Sequence, residues 1–309
     1  MTTIAVRTQE EEPTAPSKLK QAASQFGVVW SNTKARIGII ILGVFVLVAI
    51  AAPLLAPYGA SQNGFARSAD ATWDHWMGTT AAGEDVLSQI IYGARISVLV
   101  GAVAGLLSTL VAVAIGLSWG YVRGWIAEVI GFIVNLFLVI PGLPLMIVIA
   151  AYLQNGGIAV IIAVIVVTGW AWGARVLRSQ TQSLRGRDFV TAAQFSGDGA
   201  TRIVFREILP NMTSLIVGSF FGAATSAILA EAGLEFLGLG DSSIVSWGTI
   251  LYWAQNSNAL LTGQWILLFA PGLCIALLAM SLTLINFGVD AVSNPRLREG
   301  ARPRKEKTA

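Results

Sequence analysis

The stretch ISVLVGAVAGLLSTLVAVAIGLSWGY, residues 96–121, contains no charged side chain. It is longer than the roughly 20 apolar residues that a helix needs to cross the hydrocarbon core of a bilayer. Its apolar residues do not alternate with polar ones, as they would in the strands of roughly 10 residues that form a membrane β-barrel. The stretch therefore predicts a transmembrane helix.

Apolar runs of this kind recur along the chain. Six are long enough to span a bilayer, and they lie at about residues 37–56, 96–121, 129–151, 158–174, 212–232 and 265–288. Hydrophobic residues make up 55% of the chain and charged residues only 12%, whereas a typical soluble domain has roughly 25% charged residues. We therefore predict an all-α, polytopic membrane protein with six transmembrane helices.

The N-terminal segment, residues 1–36, is polar and contains three consecutive glutamates. The apolar run that follows is longer than the roughly 7–15 residues of the apolar part of a secretory signal. We therefore expect a cytoplasmic tail followed by a retained transmembrane helix. Cys274 and His75 are the sole cysteine and histidine, and we interpret them as a small buried side chain and an interfacial loop residue. No metal site and no cofactor are expected in this chain.

Lysine and arginine predict the orientation, because they collect in the short cytoplasmic segments of membrane proteins. They fall in the N-terminal tail, in the turn at Arg123, in the loop at about 175–210 and in the C-terminal tail, which leaves only Arg67 and Arg95 for the other side. Six spans place both termini in the cytoplasm, so all these basic segments lie on one side of the cell membrane. The net charge of +3 is then explained by topology, and nucleic acid is not an expected partner.

Two sizeable loops remain outside, at about 56–93 and 234–264, whereas the third and fourth runs are joined only by a short turn at 154–157. The tryptophans of the two loops are Trp73, Trp76, Trp247 and Trp253. Either they fix the depth of the protein as interfacial aromatic residues do, or they receive a soluble external partner.

We expect the spans to be free of Asp, Glu, Lys, Arg and His, which proton- and ion-coupled transporters commonly use as relays. The chain has no Gly-Lys pair and therefore no GxxxxGK[ST] loop to hold a nucleoside triphosphate. A secondary transporter and a membrane-embedded enzyme are disfavoured, while ATP dependence of the flux would distinguish an active transporter from a passive channel. If transport is active, its energy must come from a partner.

Between the fourth and fifth runs lies TAAQFSGDGATRIVFREILPN, residues 191–211. Asp188 can start a helix there electrostatically, the two alanines supply a small face, and Gly197 permits a sharp turn. A second helical piece follows and runs into Pro210. A short helix held crosswise below the bilayer suits either a groove of another protein or the surface of anionic lipid.

The motif AAQFSG followed by DGATRIVFREILPN resembles the cytoplasmic coupling motif of binding-protein-dependent ABC importer permeases, in the form found in the dipeptide and oligopeptide branch. Other stretches resemble the same branch in the same order. They are APLLAPYGA, MGTTAAGEDVLSQIIYGARISVLVG, GYVRGWIAEVI, EAGLEFLGLG with SWG, and NFGVDAVSNPRLR. Together these stretches cover almost all of residues 30–298, and the chain is most similar to the second permease of the pair, the C subunit.

The resemblance implies a type I importer: two six-span permeases side by side, two cytoplasmic ATPases and an external solute-binding protein. ATP and Mg would be bound by the ATPases, and no catalytic residue is expected in the permease. The implied divisions are a cytoplasmic tail at 1–36, an extra N-terminal helix at 37–56, an external loop at 57–94, a permease core at 95–290 with the coupling loop at about 175–210, and a basic cytoplasmic tail at 291–309.

Two sets of site residues follow from the resemblance. Contact with the ATPase is expected of Asp188, Thr191, Ala192, Ala193, Gly197, Arg202, Arg206 and Pro210. The substrate path is expected to use the uncharged polar residues Asn135, Thr225, Ser226 and Asn286. Each of these four either lines the path or bonds to its own helix or a neighbouring one, which is the commoner fate of isolated polar residues in bundles.

Two departures from the family pattern concern charge. Thr191 stands where the general motif has glutamate, which removes a carboxylate from the contact with the ATPase. Glu84 stands where the external loop of the family usually has arginine, which reverses a charge. The resemblance implies a short-peptide substrate, with an oligosaccharide or a nickel complex as alternatives, because SSIVSWGTILYWAQNSNAL resembles sugar-transporting members as readily.

Overall fold

The computed structural model describes residues 30, 32–153 and 157–293. Within this part the chain is almost entirely helical, and its paired extended backbone is limited to one isolated bridge between Thr79 and Asp85. Most of the two predicted tails and of the turn at 154–157 lies outside the described residues.

Following the orientation that the sequence predicts, we call the end of the bundle with residues 56–85 and 237–265 the external end and the end with residues 186–212 the cytoplasmic end. The helices follow one another through short connections, apart from two longer segments at the external end. They are α1 (Thr33–Leu55), α2 (Val86–Tyr121), α3 (Trp125–Val139), α4 (Gly142–Tyr152), α5 (Gly157–Arg185), α6 (Asp188–Phe195), α7 (Ala200–Ile203), α8 (Thr213–Phe236), α9 (Trp247–Asn256) and α10 (Ile266–Ser293). A π-helical turn at Val204–Ile208 and a 3₁₀ turn at Leu209–Met212 join α7 to α8. Ala200–Phe236 is therefore one continuous helical segment of 37 residues.

Five segments are long and apolar enough to cross a membrane: α1, α2, α5, Ala200–Phe236 and α10. The third predicted run is instead formed by α3 and α4, which are bent by 89° relative to each other. Pro141 accounts for the break, because proline lacks an N–H group and disfavours helical backbone at the preceding residue, and Ile140 is indeed extended. The all-α membrane fold is confirmed, with a bent pair in place of the straight helix expected at 129–151.

The helix α2 begins at Val86, well before the apolar run at 96–121. The Asp85 carboxylate caps it by accepting hydrogen bonds from the backbone N–H and the hydroxyl of Ser88, at 2.8 and 2.7 Å. Its 36 residues span about 54 Å at about 1.5 Å per residue, which exceeds the roughly 30 Å of a hydrocarbon core. The outer turns of α2 therefore stand clear of the membrane and support the external loops.

The helix α2 lies at the centre of the bundle and packs closely against α5 and α8. Small residues make this possible: a Cβ on Gly105 would lie only 2.7 Å from the backbone of Ala224 in α8, and one on Gly116 would lie 2.7 Å from the carbonyl oxygen of Ala174 in α5. Close approach through small residues is the usual basis of helix association in membranes. The helix α2 therefore contacts the other spans along its length, from the external end of the bundle to the cytoplasmic end.

Two residues near the outer end of the bundle contradict the sequence-based expectations. Glu231 lies inside α8 and is 1% exposed, so the expectation that the spans contain no ionisable side chain is wrong. Trp247 is neither an interfacial anchor nor a docking residue, because it is 1% exposed and its indole N–H donates to the carbonyl oxygen of Ile90 at 3.0 Å. It begins α9, a helix within the expected external loop.

Candidate functional site

The helix α6 forms a short platform on the cytoplasmic side, directly after α5. Its only fully buried side chain is Val190, which joins an apolar cluster with Trp119 and Leu177 of the bundle. Asp188 lies in its first turn, where a negative charge is favourable, and Thr191 is exposed. The helix therefore packs against the bundle through Val190 on one side, and its other side is exposed.

The turn after α6 has the geometry that glycine permits. Gly197 has a φ of +82°, a left-handed conformation that other residues adopt at a cost. The backbone N–H of Asp198 donates to the carbonyl oxygen of Ala193 at 3.1 Å, which satisfies the end of the helix. The sharp turn expected at Gly197 is present, and it directs the chain into α7.

Arg202 and Arg206, which are both expected to contact the ATPase, differ in their contacts within this chain. Arg202 forms an ion pair with Asp198 of this chain, at 3.2 Å, although its side chain is 58% exposed. Arg206 is exposed within the π-helical turn. Contact of either arginine with an ATPase stays a prediction, and Arg202 already has an acidic partner within this chain.

Pro210 does not end the second helical piece. It lies in the first turn of the 3₁₀ segment that follows the π-helical turn, and its fixed φ is compatible with that position. Helical backbone continues past it into α8, and the side chain of Asn211 donates to the carbonyl oxygen of Glu207 at 2.7 Å across the junction. Residues 200–212 and α8 therefore form one continuous helical element.

Three phenylalanines dominate the uncovered cytoplasmic side, and the sequence analysis did not select them. Phe189 and Phe195 are 39% and 89% exposed, and together with the exposed Ala192 they are spaced by three residues along one side of α6. Phe205 of the π-helical turn is 60% exposed. Their signal in the sequence is that they are the three aromatic residues of the segment 186–212. We call Phe189, Ala192, Phe195 and Phe205 the coupling surface.

Stacked arginines fasten α5 to the cytoplasmic end of α2. The guanidinium of Arg178 lies 3.8 Å from the ring centroid of Trp119. Arg185 donates to the carbonyl oxygen of Tyr121 at 2.8 Å. Cations are favourable at the C-terminal end of a helix because of its partial negative charge. The helix α6 therefore follows directly from α5, which these contacts hold against α2.

A groove of about 440 Å³ runs along the membrane part of the bundle between α2, α4, α5, α8 and α10. Ser226 and Asn286 both line it, and so does Asp290, which the sequence analysis did not select. The Oδ1 atom of Asn286 is buried and has no hydrogen-bond partner among the described residues. Polar side chains therefore line the groove, and one of them has a buried oxygen without a hydrogen-bond partner in the part of the chain that the structure describes.

The other two residues expected on the path have partners within the bundle. The hydroxyl of Thr225 donates to the carbonyl oxygen of Phe221 in its own helix at 2.8 Å. Asn135, on α3, accepts a hydrogen bond from Arg175 of α5 at 2.5 Å. The structure thus brings Ser226 and Asn286 together at one groove, and it gives Thr225 and Asn135 structural contacts.

The two external loops enclose a second cavity of about 680 Å³, lined in part by Arg67, Glu84 and Trp253. Glu84 accepts hydrogen bonds from Gln89 at 2.7 Å and Thr80 at 3.1 Å. The carboxylate of Glu84, which stands where the family usually has arginine, is therefore held in place by two neutral donors.

His75 is more than the isolated loop residue expected. Its Nδ1 lies 2.9 Å from the Asp85 carboxylate, and its ring packs against Tyr58 and Phe65. These contacts fold the first external loop against the start of α2. In the part of the chain that the structure describes, no group of three or more His, Cys, Asp or Glu side chains is arranged to hold a metal ion.

Comparison with known proteins agrees with this architecture. Residues 112–299 match the family described as the binding-protein-dependent transport system inner membrane component, and residues 25–70 match the N-terminal transmembrane domain of oligopeptide transport permease C. The second match covers α1 and the first half of the loop that follows it. The extra helix in front of the bundle therefore has a counterpart in a recognised family domain.

Similar proteins cover nearly the whole chain. The dipeptide transport system permease DppC of Bacillus subtilis is 31% identical over 95% of this chain and 92% of its own length. The protein of the same name from Alkalihalophilus pseudofirmus is 34% identical over 94% and 93%, and the oligopeptide permease OppC of Bacillus subtilis is 32% identical over 87% and 88%. This chain is therefore a multi-pass membrane protein that belongs to the family of binding-protein-dependent transport system inner membrane components, with the transmembrane fold of a type I ABC importer.

Proposed function

We propose that this permease is one of two that form the membrane path of an ABC importer for short peptides, and that it is coupled to partner ATPases through α6. The observation that carries the proposal is the continuity of Ala200–Phe236. One end of this segment carries Phe205 of the coupling surface, and the other part carries Ser226 in the membrane groove. A displacement imposed in the cytoplasm is transmitted directly to the groove.

The transport cycle follows from this connection. ATP binding closes two cytoplasmic ATPases, which hold the nucleotide and Mg and press on α6 and α7. Val190 and the contact between Arg178 and Trp119 hold α6 against α2 and α5. The movement of the ATPases is therefore transmitted to α8 and opens the groove outward. Hydrolysis and product release restore the inward-facing state, so ATP biases a conformational equilibrium. The permease performs no chemistry itself.

The partners and orientation belong to the same proposal. A second homologous permease completes the path, and a solute-binding protein docks on the external side, where exposed Trp253 and Arg67 border the cavity between the loops. Both termini and α6 face the cytoplasm, and the protein resides in the cell membrane. The basic character of residues 175–210 supports this orientation.

Short peptides are the proposed substrates because the relatives are named for dipeptide and oligopeptide transport. The groove fits such molecules chemically: Ser226 and Asn286 can bond to peptide amides, and Asp290 can receive an ammonium group. Oligosaccharides and nickel complexes are the competing classes, and the binding protein is the component expected to select among them.

The test is uptake by proteoliposomes that contain this chain, its partner permease, the two ATPases and the binding protein. Labelled short peptides should accumulate only when ATP is supplied inside the vesicles to the ATPases. Accumulation driven by a proton gradient without ATP would indicate a secondary transporter, and flux without any energy source a channel. Stabilisation of the binding protein by a cello-oligosaccharide or a nickel complex, and not by peptides, would overturn the substrate class.

A single substitution tests the coupling role. Phe195→Ala should abolish or strongly reduce co-purification of the ATPases without lowering the yield of the permease, because its side chain is 89% exposed and supports nothing within the bundle. Trp73→Ala is the matched control, since Trp73 is 95% exposed in the external loop. Equal ATPase recovery in the two variants would remove the coupling surface from the proposal.

A further inference from the structure

The outer end of α8 contains two buried carboxylates that the proposed transport cycle does not use. Glu231 and Glu235 are 1% and 4% exposed. They are four residues apart on one helix, a spacing that places Cβ atoms about 5–6 Å from each other. Glu231 Oε2 accepts a hydrogen bond from Ser97 Oγ at 3.3 Å, while its Oε1 is buried and has no hydrogen-bond partner among the described residues.

The external helix α9 and the turn before it cover this pair. The backbone N–H of Trp247 donates at 3.3 Å to Ser97 Oγ, the same hydroxyl that bonds to Glu231. A Cβ on Gly248 would lie 2.6 Å from the Cβ of Glu235, and a Cβ on Gly240 would overlap the Glu235 carboxylate. The pair is therefore enclosed between α2, α8, the N-terminal end of α9 and the turn at 237–246.

No basic side chain neutralises the pair within the described part of the chain. The ion pairs found there within 4 Å are His75–Asp85 and Arg202–Asp198, neither of which involves α8. The titratable or charged groups on the elements packed around the pair are Glu84, Asp85, Tyr92, Arg95 and Tyr121 on and before α2, Asp241 in the turn, Tyr252 on α9, and Cys274 and Asp290 on α10. Arg95, the cation among them, has an exposed side chain.

Two negative charges this close in an enclosed site, without a cation, cannot both be accommodated. A proton on one carboxylate resolves the conflict, because the pair then carries a single charge and gains a donor. We propose that Glu231 and Glu235 bind one proton between them and that this proton keeps α9 packed against α8. We call this proton-dependent contact the latch. When the proton leaves, the second charge requires water, and water enters only if α9 and the turn at 237–246 lift from α8.

The latch can be tested through the accessibility of α9 in the full-length protein. Ala254 is 2% exposed and faces the outer apolar cluster, whereas its neighbour Gln255 is exposed. In a Cys274→Ala background, maleimide labelling of Ala254→Cys is divided by that of Gln255→Cys at each pH. The division removes the pH dependence of thiol reactivity itself. The ratio should rise with pH by up to about tenfold per pH unit, the limit for release of one proton.

Substitution of either carboxylate should remove this dependence. In Glu235→Gln or Glu231→Gln the site holds at most one charge, so the ratio should stay low and flat across the same pH range. Asp74→Asn, at an exposed position of the first external loop away from the pair, should retain the wild-type rise. A flat ratio in the wild-type protein, or the same rise in both glutamine variants, would overturn the proposal. So would a ratio that responds to added sodium at constant pH and not to pH, because the ligand would then be a metal cation.

Discussion

The cytoplasmic and external ends of the helical bundle are built in opposite ways. At the cytoplasmic end, α6 buries only Val190 completely and leaves Phe195 uncovered. At the external end, α9 buries its own Trp247 and covers Glu231 and Glu235 of α8 almost completely. Exposed apolar side chains mark a surface prepared for another protein, whereas enclosed polar groups mark a joint made within the chain. The comparison separates a helix that presents apolar side chains outward, α6, from a helix that is built into the bundle, α9.

The largest expected effect concerns the sidedness of the two ends. Cysteines introduced at Ser183, in the cytoplasmic end of α5, and at Ser68, in the first external loop, should react with a membrane-impermeant maleimide from opposite sides only. Both positions are exposed, so accessibility within the protein does not limit the reaction. Reaction of both cysteines from one side of intact cells would break the comparison, because the two ends would then share a compartment.

The next effect concerns stability of the external joint. Trp247→Ala removes a fully buried ring and its hydrogen bond to Ile90, and it should destabilise the protein by about 3–5 kcal/mol, as core Trp truncations do. Trp253→Ala is the control, since Trp253 is 53% exposed on the same helix. Thermal unfolding in detergent measures both. Similar transition temperatures for the two variants would show that α9 is not integrated into the fold.

At the cytoplasmic end a substitution should impair coupling and leave the fold intact. Gly197→Trp forces a bulky residue into a left-handed backbone, at a cost of about 1–2 kcal/mol, which corresponds to roughly tenfold in an equilibrium. Binding-protein-stimulated ATP hydrolysis should fall by about that factor while the six spans remain inserted. Gly199→Trp adds the same bulk where φ is −68°. Normal hydrolysis and ATPase co-purification in Gly197→Trp would contradict the role of the turn.

A smaller effect distinguishes residues of the groove from residues that only support helices. Ser226→Leu and Asn286→Leu place apolar bulk in the groove and should reduce uptake severalfold at normal protein abundance. Thr225→Val should have little effect on uptake, because its hydroxyl bonds to its own helix. Uptake that is unchanged by substitution of all of Asn135, Thr225, Ser226 and Asn286 would exclude this groove from the path.

The smallest effect concerns the exposed turn before α9. Hydrogen bonds from the hydroxyl and the backbone N–H of Ser243 lower the pKa of Asp241 below its ordinary value. A carboxylate with a lowered pKa stabilises the folded state at pH values above its unfolded pKa, and that contribution is lost as the pH falls through the folded pKa. Ser243→Ala should raise the pKa of Asp241, as measured by NMR titration of the labelled side chain. An unchanged pKa would mean that the turn does not hold this geometry in solution.

Local chemistry in the sequence predicted most of the cytoplasmic end. The turn at Gly197 needs only the backbone freedom of glycine, and the helix before it needs only its alanines and Asp188, so neighbouring residues suffice to infer both. The bend at Pro141 follows from equally local sterics. It went unpredicted because the apolar run continues through the proline without a change in hydropathy.

The external end depends on contacts between residues far apart in the sequence. Glu231 lies within the apolar run at 212–232 and can be read from the sequence alone, but its partner Ser97 lies 134 positions away and is known only from the structure. Trp247 is separated from Ile90 by 157 positions. An interfacial tryptophan and a buried one have the same local pattern, and only the tertiary structure distinguishes them. The division of Asn135, Thr225, Ser226 and Asn286 between groove and support has the same origin.

The π-helical turn at Val204–Ile208 determines how far α7 is rotated about the helix axis relative to α8. An α-helix advances about 100° per residue, and a π turn accommodates one residue more than the regular helix on either side. Deleting one residue from this turn would leave the segment helical and almost equally long, yet rotate α7 by about that angle relative to Ser226. The number of residues between the cytoplasmic platform and the groove is therefore as much a part of the transmission as their identity.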